Sequence, residues 1–302
     1  PAMSAYLDPK NDTAFKEIFA NDKPLCISLL NAFLPVEETG MRAVTSIEYL
    51  PFELSVPVVG GLRPIVDVRC TDALGRQFIV EMQLRWEVEF DHRILYNLAR
   101  AYSSQNYTGR EFSQLQPVYS INFVSGGLKL KLPPDVPDDK VYYRYLFTEA
   151  ELRDAHISGM EAIFIDLKKY ARAADRSALR NLTKLRRLWL TFLTDVNERT
   201  YDPPPELVAN PETAAALRHL EDIARSPGKR RAYDAASDGE RRDITNLNAA
   251  KREGLAEGRA KGLAEGAAAA KLETARKMKA DGLPPDAVAR YTGLSPEQLQ
   301  DL

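Results

Sequence analysis

The sequence predicts an α/β core over residues 4–170, followed by an all-helical region, and three observations carry that reading. Strand-like and helix-like periodicities interleave along the first part of the chain. Residues 63–71 and 76–85 alternate apolar and polar side chains on either side of Asp72-Ala73-Leu74-Gly75, the pattern of a β-hairpin. Beyond residue 170 only helical stripes remain.

Residues 11–34 are expected to be one helix kinked near Pro24, with Phe15, Ile18, Phe19, Leu25, Leu29, Leu30 and Phe33 at helical spacing. Residues 44–57 read as extended chain ahead of the two hairpin strands. Residues 90–107 form an amphipathic helix with Phe90, Ile94, Leu95, Leu98 and Tyr102 along one side. The β-branched and aromatic run 117–124 reads as a buried strand, and 140–148 and 160–166 as two more. A helical extension is expected over 171–250, with helices at 175–196, 205–224 and 229–255. The last part, 251–302, joins a repeat to a helical tail. The repeat places Gly254, Gly258, Gly262 and Gly266 four residues apart. It reads either as a semi-flexible spacer or as a small-residue ridge for close helix packing.

Composition narrows the function classes. The formal net charge of −2 is too small for nucleic acid to be held by bulk charge, so any such contact needs a local basic patch or a metal ion. Cys26 and Cys70 form no CxxC pair, which argues against a zinc finger and a disulfide scaffold and fits a reducing cytoplasm. No apolar run approaches a membrane span and no signal peptide is visible. There is no GxSxG and no Gly-rich phosphate loop.

The hairpin carries the chemistry. Asp67 lies seven residues before Leu74 and Glu81 seven after it, so an antiparallel pair centred on that turn sets them opposite each other. Their Cβ atoms would then be about 5 Å apart, where two like charges destabilise a hairpin. A divalent cation between them turns the repulsion into a site. Val66, Val68, Cys70, Phe78, Val80, Met82 and Leu84 fall on one face, and Asp67, Arg69, Glu81, Gln83 and Arg85 on the other. The first face is expected to pack on the core and the second to stay polar. Mg²⁺ prefers oxygen ligands and favours hydrolysis of a phosphodiester, while arginines hold phosphate oxygens. An ordinary solvated hairpin face is the competing reading.

These residues resemble the PD-(D/E)XK nuclease signature, and more narrowly the bacterial Rpn family of recombination-promoting nucleases, also called transposases of that superfamily. The pieces are the opening run Asp8–Phe19, Ile65-Val66-Asp67-Val68, Ile79-Val80-Glu81-Met82-Gln83, Arg93 with Tyr96 and Tyr102, the glycine repeat, and the closing run from Tyr291 to Leu299. The resemblance implies a restriction-endonuclease-like core, a mixed sheet flanked by helices, and Mg²⁺- or Mn²⁺-dependent cleavage of DNA linked to recombination or mobile elements. It implies Asp67 and Glu81 as metal ligands. Gln83 stands where the superfamily name has Lys, and Gln is the usual occupant in this narrower family. Asp12 matches an acidic residue of the first helix that completes the catalytic set.

Lys16 follows Asp12 by one turn, so the two are either part of the site or an exposed i,i+4 pair. Lys16, Arg69, Arg85, Arg93 and Tyr96 are candidate phosphate or DNA contacts, although Arg93 and Tyr96 also suit core packing at a helix rim. The runs Lys184, Arg186, Arg187 and Lys229, Arg230, Arg231 are either DNA-backbone contacts or solvated helix faces. The alternative function is a catalytically weak or inactive DNA-binding or assembly module of the same fold, regulated through its tail. A homodimer, with 251–302 as its interface, suits double-strand cleavage by a chain with one site.

Overall fold

The computed structural model describes residues 6–54, 65–105, 111–152 and 155–300. Helices α1 (Asp12–Phe19), α2 (Lys23–Phe33) and the short α3 (Val36–Thr39) come first. Strands β1 (Ile47–Tyr49), β2 (Val68–Asp72) and β3 (Gln77–Gln83) follow. Helix α4 (Phe90–Ser103) leads to β4 (Val118–Val124), β5 (Tyr142–Thr148) and β6 (His156–Asp166). The remainder is helical: α5 (Leu167–Arg172), α6 (Lys184–Asp195), α7 (Pro205–Ala209), α8 (Pro211–Arg225), α9 (Pro227–Ala280), α10 (Pro285–Thr292) and α11 (Pro296–Gln300).

The strands form one mixed sheet in the order β1-β2-β3-β4-β6-β5. Its centre, β3-β4-β6, is parallel, and antiparallel strands finish both sides. The expected α/β core with a mixed sheet flanked by helices is therefore what the chain adopts, and the helical C-terminal region follows it. Among the described residues no helix is long and apolar enough to cross a membrane.

The sheet is covered on both faces. Val68, Cys70, Phe78, Val80, Ile121 and Phe123 belong to a core shared with α1, α2, α6 and α8. Phe15, Phe19, Phe33 and Phe123 interlock there at centroid distances of 4.8–6.4 Å, each burial stabilising by about 2 kcal/mol. Ile79, Val118, Val124 and Phe164 pack instead with Phe90, Ile94 and Leu98 of α4. This corrects the expectation of a polar second face on the hairpin. A sheet sandwiched between helices reads as near-continuous apolar runs, as in Phe78-Ile79-Val80. Val66 also leaves its predicted side and joins the α4 core, because the chain bends at Asp67 just before β2.

Four predicted helices have other boundaries, the 205–224 helix being divided at Asn210, which caps α8. Residues 11–34 hold two helices, because Asp22 caps α2 by accepting the Leu25 N–H at 3.0 Å. Pro24 sits in the first turn, where its missing N–H costs nothing. The 175–196 helix begins only at Lys184, capped by Thr183. The 229–255 helix runs on to Ala280, through the glycine repeat. Residues 55–64 and 106–107, parts of the predicted extended segment, first hairpin strand and fourth-helix end, lie outside the described residues.

Three of the six residues in the basic runs are committed to partners within the protein. Arg186 is 1% exposed and donates to Ala32 O at 2.6 Å, Leu34 O at 3.1 Å, Asn181 O at 2.7 Å and the Glu38 carboxylate at 2.5 Å. It satisfies the orphan carbonyls at the end of α2, so it makes no DNA contact. Lys229 pairs with Glu17 and Asp222, and Arg230 with Asp234.

Two compact units result, one ending at Ser237 and the other beginning at Asp238. In the second, Ala275, Val288 and Leu299 form a small core where the end of α9, α10 and α11 meet.

Candidate active site

The hairpin register places the two acids as the spacing predicts. Val68 faces Val80 and Arg69 faces Ile79, and the same register carried back one residue sets Asp67 opposite Glu81. Both stand towards the C-terminal end of β3, the first strand of the parallel set. In open α/β sheets, ligands bind beyond the carboxyl ends of parallel strands.

Each carboxylate is anchored through one oxygen. The Met82 backbone N–H donates to Asp67 Oδ2 at 2.7 Å. Asn97 Nδ2, from α4, donates to Glu81 Oε1 at 3.3 Å. The other Asp67 oxygen, Oδ1, lies 3.8 Å from Lys16 Nζ, beyond direct hydrogen bonding. Lys16 Nζ is itself held at 2.6 Å by Asp12 Oδ1. The first helix thus reaches the pair through Lys16, while the Asp12 side chain remains more than half exposed. The i,i+4 pair is present, and the same Lys16 lies within ion-pair range of Asp67.

The electrostatics are those of two like charges out of water. Burial, then the charge of Asp67, pushes the Glu81 pKa up to about 8, against the opposing pull of Arg93, Lys16 and Asn97. Burial also raises that of Asp67, against the Met82 N–H and Lys16. Burial acts to lower the Lys16 pKa, but the bond to Asp12 and the charges of Asp12, Asp67 and Glu81 raise it on balance.

Gln83 does not face the pair with a free amide. Its Oε1 accepts from Arg93 Nη2 at 2.6 Å, and its Nε2 donates to Glu87 Oε1 at 3.2 Å. Arg93 Nη1 closes the triangle on Glu87 Oε2 at 3.1 Å, with its guanidinium 5.1 Å over the Phe90 ring. Arg93 therefore ties the first turn of α4 to the end of β3. Tyr96 is half-buried on α4, and Arg85 is exposed just past β3. Arg69 is the correction: it is 8% exposed and turns to Gln77 Oε1 and Ser104 Oγ under the end of α4. Its position on the covered face, two residues after Asp67, takes it away from solvent.

The donor set fits a hard divalent cation. Two opposed carboxylates supply oxygens, and beside Glu81 the buried Asn97 Oδ1 has no hydrogen-bond partner among the described residues. Among the described residues no cluster of three or more His, Cys, Asp or Glu side chains could hold a metal. Mg²⁺ characteristically takes one or two carboxylates and completes its shell with water and substrate phosphate.

Two participants escape a reading of the hairpin alone. Asn97 is one turn beyond Arg93 and fully buried. The signal for it was an amide interrupting the apolar stripe Phe90, Ile94, Leu98, Ala101. Glu87 lies in the loop before α4, and no spacing singles it out.

A family model described as PD-(D/E)XK nuclease family transposase matches residues 9–250. No curated protein matches the chain, and no solved structure does.

Proposed function

The chain belongs to the PD-(D/E)XK nuclease family of transposases, and from that premise we propose that it is an Mg²⁺- or Mn²⁺-dependent DNA endonuclease centred on Asp67 and Glu81. The family carries nuclease-type hydrolysis and generally uses divalent metal ions. The observation that supports this reading most is the register-opposed carboxylate pair, Glu81 buried and Asp67 one-fifth exposed, which has raised proton affinity and an Asp67 oxygen that stands 3.8 Å from Lys16.

In the reaction a water oxygen bonds to phosphorus as one P–O ester bond breaks. The products are an alcohol and a phosphate monoester, between which the two water hydrogens are divided. When bound by Asp67 and Glu81, the cation supplies positive charge that polarises the phosphodiester. Met82 N–H and Asn97 fix the carboxylates, and the Gln83–Arg93–Glu87 triangle braces the strand end that carries them. Exposed Arg85 and half-buried Tyr96 are proposed DNA contacts.

Incubation of supercoiled plasmid with protein and Mg²⁺ gives nicked or linear product, and EDTA or Asp67→Asn abolishes it. Intact plasmid under all three conditions, together with a melting temperature indifferent to Mg²⁺ and Mn²⁺, would leave the non-catalytic module as the reading.

The raised pKa of Glu81 has a definite sign in pH. An acid that holds its proton more tightly when folded favours the folded state below its ordinary pKa of 4.5, and that advantage is lost as pH rises through about 8. A divalent cation must displace the same proton. In EDTA the melting temperature therefore falls as pH rises from about 5 to about 9, and the increment gained with Mn²⁺ grows until about pH 8. Scanning calorimetry across that range checks both slopes; an Mn²⁺ increment independent of pH contradicts the assignment of Glu81.

Two further parts of the reading concern assembly and place. A Cβ added at any of the four repeat glycines, Gly254, Gly258, Gly262 and Gly266, would meet nothing within 4 Å, and Leu255 and Leu263 are exposed beside them. A second copy packed along 251–302 would use both. Deleting 251–302 then turns a dimer into a monomer by sedimentation, and an oligomeric state unchanged by the deletion refutes this interface. Free, buried Cys26 and Cys70 support action in a reducing compartment such as the cytoplasm.

A further inference from the structure

The motif position that carries Lys in the superfamily's name is occupied by Gln83, and both polar atoms of its amide are engaged by Arg93 and Glu87. The charge a lysine would bring to the reacting phosphate must come from elsewhere. Among the described residues, two cations act on both carboxylates. Arg93 is committed to Gln83 and Glu87 and packed over Phe90. Lys16 is the other, and its placement differs. Asp12 fixes it from behind at 2.6 Å, yet it stops 3.8 Å short of Asp67. It is one-third exposed, so its ammonium meets both the pair and solvent. Asn11 sets the start of that helix by accepting the Thr13 and Ala14 N–H groups, and its own amide bonds to Tyr233 O and Ser237 Oγ. Buried Phe15, Ile18 and Phe19 clamp the rest of α1. The ammonium is therefore delivered by a helix locked on both sides.

We propose that Lys16, supplied by α1, is the catalytic cation of the site, taking the place left by Gln83, and that Asp12 is the positioning residue that aims it. The inference rests on the nuclease reading above. Lys16 transfers no proton. Its charge opposes the negative charge that builds on the non-bridging phosphate oxygens as the water oxygen adds and the ester oxygen leaves.

The test compares single-turnover plasmid cleavage by the full chain, with Mg²⁺, for wild type, Asp67→Asn, Lys16→Met, Lys16→Arg and Asp12→Asn. Mn²⁺ affinity is measured on each by calorimetry. Removing a preorganised charge of this kind costs about a hundredfold in the maximal rate, so Lys16→Met loses that much at saturating DNA. Lys16→Arg recovers part of it, and Lys16→Met binds Mn²⁺ no more weakly than wild type. Asp12→Asn costs about tenfold on its own and nothing in the Lys16→Met background, because the two act as one unit. Lys16→Met cleaving within about threefold of wild type overturns the proposal, as does a loss recovered by more DNA, which marks uniform binding. Either result leaves the nuclease reading intact if Asp67→Asn is inactive. If wild type does not cleave, or Asp67→Asn cleaves equally well, the nuclease reading itself fails, and this proposal with it.

Discussion

Glu81→Gln is expected to abolish metal-dependent DNA cleavage, by about a thousandfold or more, while raising the melting temperature of the metal-free protein. The two effects share one cause. Glu81 is 5% exposed and opposes Asp67 across the hairpin, so above about pH 8 the folded chain holds two neighbouring like charges, one buried and one partly buried. Each pH unit by which its pKa is raised corresponds to about 1.4 kcal/mol of folding free energy lost once the group is ionised. A glutamine keeps the shape and an oxygen to accept from Asn97, and it removes the charge. Cleavage then lacks a carboxylate ligand, and loss of several kcal/mol of charge stabilisation is about a thousandfold in rate. Parallel cleavage assays and thermal melts at about pH 8.5, with and without Mn²⁺, separate the two effects. A variant that loses activity because it is destabilised would mean Glu81 holds the fold together and is no ligand.

The second large effect lies away from the site. Arg186→Ala is expected to cost about 3 to 5 kcal/mol, because it leaves the Ala32 and Leu34 carbonyls without a donor at the buried end of α2, and the Asn181 carbonyl and the partly exposed Glu38 carboxylate without theirs at its rim. The guanidinium also lies 4.3 Å over the Tyr142 ring, so the α2 end, α6 and β5 all lose a shared partner. Urea denaturation measures this. Arg186→Met retains more of the packing and falls between the two. A cost below about 1 kcal/mol, together with weaker DNA binding whose salt dependence has dropped, would return Arg186 to the DNA-contact role.

These two predictions mark what the sequence discloses and what it hides. The Asp67–Glu81 opposition was legible because hairpin register follows from the turn, and Val68↔Val80 lies in the predicted register. The sheet and the helical region beyond it were legible from periodicity. Arg186 was not: in one dimension, a buried arginine that satisfies carbonyls of another helix looks like its neighbours Lys184 and Arg187. Arg69 misled for a related reason. Alternation assigns a side to each residue, but whether that side is solvent or α4 depends on an element some twenty residues away. The α1–α2 break and the late start of α6 were hidden because caps such as Asp22 and Thr183 outweigh an apolar stripe that runs on past them. The glycine repeat misled about the length of α9, where the cost of about 1 kcal/mol per glycine is spread over a helix of 54 residues.

The same comparison sharpens the site. Gln83 matters as the pivot of a triangle with Arg93 and Glu87, Asn97 joins the carboxylates from α4, and Lys16 arrives from α1. The linear motif names the acids, and the third dimension supplies the cations.

The central claim, that Asp67 and Glu81 together hold a divalent cation, is tested most directly by anomalous diffraction from a crystal of the protein soaked in Mn²⁺. The account predicts one or more anomalous peaks within about 2.2 Å of an oxygen of each carboxylate, with water completing the shell. Soaked crystals with no anomalous density between the two carboxylates, and a proton-linked Asp67–Glu81 pair in its place, would contradict it.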